Sequence, residues 1–185
     1  MKSTRMIVGA LAALALLVVT GAALADNIKG TSGNDTLTGT SERDRIVALA
    51  GDDTVNGGDG NDRIHGGSGN DTLNGEDGND RILGGADNDA INGGDGDDHL
   101  RGRSGDDTVD GGDGDDVIWV GRGADVQNGG DGDDKLHALA NDDQVDKIDC
   151  GDGHDTVWLN SDEHDVHENC EVVKTVTVTT DGGDD

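Results

Sequence analysis

One aliphatic side chain recurs at every ninth position through most of this chain: Leu37, Ile46, Val55, Ile64, Leu73, Ile82, Ile91, Leu100, Val109, Ile118, Leu136, Val145 and, after a slip of three, Val157. Gln127 is the one polar intruder in that series. Most of these residues stand between polar or charged neighbours, as in Arg63-Ile64-His65 and Thr72-Leu73-Asn74. Because side chains alternate between the two faces of a strand, such a triplet predicts a strand with a single inward side chain. The intervening six residues, best seen at Gly57-Gly58-Asp59-Gly60-Asn61-Asp62, predict a turn, since glycine reaches backbone angles that other residues avoid. At the fourth turn position the exceptions to glycine are Glu42, Asp87 and Asn141. Asp and Asn tolerate the left-handed region best, so Glu42 is expected to mark a strained turn.

A three-residue strand buries nothing alone, so successive strands must stack on others of their kind. The residues before each aliphatic position show how. Arg45, Arg63, Arg81, His99, Val117 and Lys135 alternate with Thr36, Thr54, Thr72, Ala90, Thr108 and Val126. The residues after it alternate too, with Asn56, Asn74, Asn92 and Asn128 on the threonine side and Val47, His65, Leu83, Arg101 and Trp119 on the arginine side. A period of 18 is thus laid over the period of nine. The expected fold is all-β: a parallel β-roll, or β-solenoid, with two short-stranded parallel sheets, 18 residues per coil and two chemically different outer faces.

Composition explains why such a chain needs help to fold. It has 33 Gly, two Trp and no Phe, Tyr or Pro, too little bulky apolar surface for an ordinary core. Lys2 and Arg5, an uncharged apolar run from Met6 and the triplet Ala23-Leu24-Ala25 predict a secretory signal peptide over 1–25, cleaved after Ala25. Removing it leaves 11 basic against 41 acidic groups, a net charge near -30. Such a charge repels nucleic acid and anionic membranes, and no insertion into a membrane is expected after cleavage.

The acids are not scattered. Asp35, Asp44, Asp53, Asp62, Asp71, Asp80, Asp89, Asp98, Asp107, Asp116, Asp125, Asp134 and Asp143 follow one another at intervals of nine, and Asp155 resumes the series. With the turn and strand residues they make the unit G-G-x-G-x-D-x-U-x, U being a large aliphatic residue. This resembles the RTX, or haemolysin-type, calcium-binding repeat, from about Gly30 to Trp158. The resemblance implies that these fourteen aspartates are metal ligands bridging turns on the same side of the roll. Stacked like charges would oppose folding, and Ca2+ suits the gap because it takes six to eight oxygens in flexible geometry. Degenerate turns near Thr40, Glu42, Leu139 and Asn141 reduce the expected load to roughly 8 to 11 ions.

The expected organisation is a leader over 1–25, a calcium-binding roll over 26–158, a C-terminal cap over 159–180 with a final strand, and a disordered tail over 181–185. Cys150 and Cys170 are the only cysteines, and in an exported chain they are expected to form a disulfide. His164 and His167 do not form H-E-x-x-H, and a solvated acidic loop suits them better than a zinc site. No nucleophile elbow or Walker loop is present, so no catalytic residue is expected. The leading function is a secreted, extracellular, monomeric calcium-binding repeat protein that folds on ion binding after export. One alternative is an adhesion module docking an extracellular glycan or protein on the Arg and Trp face. The other is an ice-binding protein using the Thr and Asn face.

Overall fold

The computed structural model describes residues 15–17 and 27–178. Among these residues there are two nine-stranded sheets and no helix. One sheet stacks β1 (Ala15–Leu17), β3 (Asp35–Thr38), β5 (Thr54–Asn56), β7 (Thr72–Asp77), β9 (Ala90–Asp95), β11 (Thr108–Asp113), β13 (Val126–Asp131), β15 (Lys147–Asp149) and β17 (Val166–Glu168). The other stacks β2 (Asn27–Lys29), β4 (Arg45–Ala50), β6 (Arg63–Ser68), β8 (Arg81–Ala86), β10 (His99–Ser104), β12 (Val117–Trp119), β14 (Lys135–Ala138), β16 (Thr156–Asn160) and β18 (Val172–Val176). The chain changes sheet at every turn. Neighbours in a sheet are parallel and lie one coil apart, as Arg45 with Arg63, Arg63 with Arg81 and Arg81 with His99. This is the parallel β-roll of 18 residues per coil that the double period implies.

The core is a single line of side chains from each sheet. Leu73, Ile82, Leu100, Val109, Ile118 and Leu136 are fully buried. Gln127 takes its inward place in the same line, with Val109 and Ile148 as its register partners. Val145 does not: it is 43% exposed, and Ile148 is buried instead. The cause is the position of the three extra residues. Val126 pairs with Lys147 and Lys135 with Thr156, so the longer step occurs in both sheets and the insertion sits in the connection 139–146, ahead of β15.

The turn at Glu42 also differs from expectation. Neither Gly33 nor Glu42 has a positive φ. Thr31 and Thr40 organise these two turns differently, their hydroxyls accepting from the backbone N–H of Gly33 at 3.2 Å and of Glu42 at 3.1 Å. The turn avoids the left-handed region and with it the strain. Asp87, by contrast, does take φ 73°.

At the C-terminal end β18 pairs with β16, and Cys150 is disulfide-bonded to Cys170. A bond closing a loop of that length contributes about 3 kcal/mol. At the other end Ala15–Leu17 pairs with Asp35–Leu37. The remainder of the expected leader and the expected disordered tail lie outside the described residues.

Candidate metal centre

Each turn ends on an aspartate that the fold turns inward, and the coil repeat stacks these carboxyls into two columns. In one, the backbone N–H of Asp44 donates to Oδ1 of Asp62, that of Asp62 to Asp80, of Asp80 to Asp98 and of Asp98 to Asp116, each at 2.7 Å. In the other, Asp35 donates to Asp53, Asp53 to Asp71, Asp71 to Asp89, Asp89 to Asp107 and Asp107 to Asp125 at 2.7 to 2.9 Å. One carboxylate oxygen is thereby spent on holding coil to coil.

The second oxygen is left over. Oδ2 of Asp53, Asp62, Asp71, Asp80, Asp89, Asp98, Asp107, Asp116, Asp134 and Asp155 is buried with no hydrogen-bond partner. Such an orphan is costly unless something charged meets it. The first glycine of the turn shows where. A Cβ built on Gly57 would come 2.5 Å from Asp62 Oδ2 and 2.6 Å from the carbonyl oxygen of Gly75 in the next coil. Gly75 stands in the same relation to Asp80 and Gly93, and Gly93 to Asp98 and Gly111. A small cradle bounded by a carboxylate and a carbonyl oxygen therefore recurs along the roll. Among the described residues no three His, Cys, Asp or Glu side chains gather into a metal-holding group, so backbone carbonyls must complete any coordination. An all-oxygen donor set of mixed carboxylate and carbonyl suits a hard divalent cation, and its irregular geometry suits calcium better than magnesium.

The electrostatics agree with that fit. Burial pushes Asp62, Asp89, Asp98 and Asp107 up to about 7 and Asp116 up to about 8. For Asp62 the Asp44 N–H pulls back, while Asp80 and Asp44 push further upward. Asp53, Asp80, Asp125 and Asp134 rise to about 6, again chiefly through burial. Without a cation, much of the interior array would hold protons near neutral pH.

Of the fourteen expected ligands, the structure brings thirteen into the columns and leaves one out. Asp143 is exposed, with φ 62°, because the insertion precedes Asp146. Asp146 takes the place, accepting from the Asp125 N–H at 2.9 Å and lying nine residues before Asp155. Its carboxyl is pushed up to about 7, first by burial. Asp35 and Asp44 are in line but closed: the N–H of Thr31 reaches Asp35 Oδ2 at 2.5 Å, and that of Thr40 reaches Asp44 Oδ2 at 2.6 Å. Three acids that the period does not predict finish the C-terminal end. Asp165 accepts from Asp146, Glu171 accepts from Asp155 at 2.8 Å, and Glu163 accepts from Asp142 at 2.8 Å. The longer Glu171 reaches where the coil no longer brings an aspartate.

The outer faces behave differently from one another. On the threonine side, the Asn74 amide donates to Asn56 at 2.9 Å and that of Asn128 to Asp110 at 3.0 Å, so polar groups pair along the column. On the arginine side, His137 is stacked between Trp119 at 3.6 Å and Trp158 at 4.4 Å between ring centroids. Arg101 and Lys174 lie over the outer rings. These ring faces are used internally, as a ladder bracing β12, β14 and β16.

Comparison with known proteins agrees with this architecture. No curated protein matches the chain. The model of the RTX calcium-binding nonapeptide repeat (4 copies) matches residues 20–55, 38–73, 56–91, 65–100, 92–127 and 128–146. Those matches span the turns of the orphaned carboxylates from Asp53 to Asp134, and the chain belongs to the RTX calcium-binding repeat family.

Proposed function

We propose that this protein is exported through its N-terminal leader and folds outside the cell, as calcium fills the cradles between stacked turns. The repeat roll is a structural calcium-binding domain. The observation that carries the proposal is the run of buried Oδ2 atoms without partners, those of Asp62, Asp71, Asp80, Asp89, Asp98, Asp116 and Asp134 lying beside a carbonyl oxygen of the next coil. In a cytoplasm poor in calcium the columns would repel or protonate, and the small apolar line would not offset the chain entropy. Where calcium is abundant, ion binding becomes folding energy. Cleavage after Ala25 would remove β1 and free the edge of β3.

The ligands proposed are the aspartates with an unpartnered Oδ2, with Asp146 in the position expected for Asp143. The turns of Asp35 and Asp44 are proposed as metal-free ends of the array, because backbone N–H groups already occupy their carboxylates. The remaining cradles accommodate about 8 to 11 ions. The deciding experiment is calcium titration of the chain lacking residues 1–25, followed by circular dichroism, with magnesium as control. The expected result is a cooperative gain of sheet signal in calcium alone. Equal sheet content and melting temperature in chelator and in calcium would refute the proposal.

A further inference from the structure

Arg45, Arg63 and Arg81 stack in register on β4, β6 and β8. All three are exposed, and no guanidinium of the three has a hydrogen-bond or ion-pair partner among the described residues. Like charges on adjacent strands about 4.8 Å apart repel, so the column is unfavourable as it stands. The turns that lead into this sheet carry the opposite charge at their third position. Asp95, Asp113 and Asp131 are exposed there and in register with one another, their side chains without partners among the described residues. On those three coils a second aspartate follows two residues later, where the turn before Arg63 has Asn61 and the turn before Arg81 has Asn79. One border of the roll is therefore basic on its face toward the N-terminal end and doubly acidic on its edge toward the C-terminal end.

Both columns advance by one charge per coil, so their pitch is equal by construction. We infer that two calcium-loaded copies dock side by side and antiparallel through this border. The Arg45, Arg63, Arg81 column of each copy lies against the Asp131, Asp113, Asp95 column of the other. The contact is two-fold symmetric and closes on itself, since each copy supplies both halves. A second copy is the one partner whose charge spacing is shown to match. This replaces the monomer expected from the sequence. It rests on the calcium reading in one respect: the metal-free chain without residues 1–25 has 11 basic and 41 acidic groups and a net charge near -30, whereas about ten bound ions cancel about twenty of those charges and let the copies approach.

The test is sedimentation of the chain lacking residues 1–25, in calcium, at low and high ionic strength. It uses R45E/R63E/R81E and D95K/D113K/D131K, none of which touches the buried aspartate columns. The wild type is expected to sediment as a dimer at low salt and to dissociate as salt screens the contact. Either variant alone is expected to dissociate at least about tenfold more readily. An equimolar mixture of the two is expected to recover the dimer, because an acidic face then meets a basic edge in one contact and an acidic edge meets a basic face in the other. Circular dichroism of the same samples separates two failures. A chain that gains no sheet in calcium overturns the cradle reading and this one with it. A folded wild type that stays monomeric, or a dimer that neither variant weakens, overturns the docking alone.

Discussion

Replacing Gln127 by leucine should make the protein more stable, and the structure sets the size of the gain. Gln127 occupies the aliphatic position of β13, is fully buried, and has neither Oε1 nor Nε2 hydrogen-bonded. Its register partners Val109 and Ile148 are apolar. Leaving such an amide unpaired costs about 1–3 kcal/mol in mutational series. Leucine has similar bulk, so it removes that cost and adds roughly 1 kcal/mol of apolar burial, less any repacking strain. A net gain of about 2–3 kcal/mol should raise the melting temperature by about 5–10 °C for a chain of this length. The assay is thermal unfolding by circular dichroism at saturating calcium, with Gln127→Ala as a control that removes the amide but leaves a void. An unchanged or lower midpoint for Gln127→Leu, with calcium stoichiometry intact, would refute the reasoning, because it would mean the amide is satisfied in solution.

Gly75→Ala should remove a cradle without imposing an unfavourable φ, since the new Cβ would collide with Asp80 Oδ2 and the Gly93 carbonyl. The expected outcome is loss of about one or two ions by equilibrium dialysis and a destabilisation of about 2–4 kcal/mol. Acid should substitute in part for calcium: carboxyls raised from 3.8 to between about 6 and 8 favour the metal-free fold below 3.8 and lose that contribution as pH rises through their folded values. Chelated protein should therefore gain sheet signal on acidification, while calcium affinity falls over the same range, and a metal-free spectrum independent of pH would contradict this. Cys170→Ser should lower stability by about 3 kcal/mol at saturating calcium, measured as a fall in melting temperature against the oxidised wild type.

Much of the roll was legible because two physical requirements share one period. The aliphatic position must face inward and the aspartate must end the turn, so either series alone predicts the coil, and the alternation of Arg45 and Arg63 with Thr54 and Thr72 predicts two sheets. The insertion was harder. Counting forward from Asp134 reaches Asp143 and Val145, which satisfy the same residue preferences as Asp146 and Ile148. Counting back by nine from Asp155 reaches Asp146, and Lys147-Ile148-Asp149 has the proper strand pattern, so the signal was present but ambiguous. Thr31, Thr40, Glu163 and Glu171 carried no such signal. They act at the ends of the array, the threonines through local hydrogen bonds and the glutamates through bonds between coils, where the period that identifies the other residues has stopped.

The bonding along the buried columns has a direction: an upstream N–H meets a downstream carboxylate, and strands of one sheet stack only on strands of the same sheet. Length in this molecule is consequently quantised. Excising the eighteen residues from Gly75 to Asn92 would bring like onto like and shorten the stack by one layer, with every lateral bond re-formed. Excising nine would set threonine strands upon arginine strands and exchange the two faces beyond the cut, so strands are gained or lost in pairs if each face is to keep its chemistry.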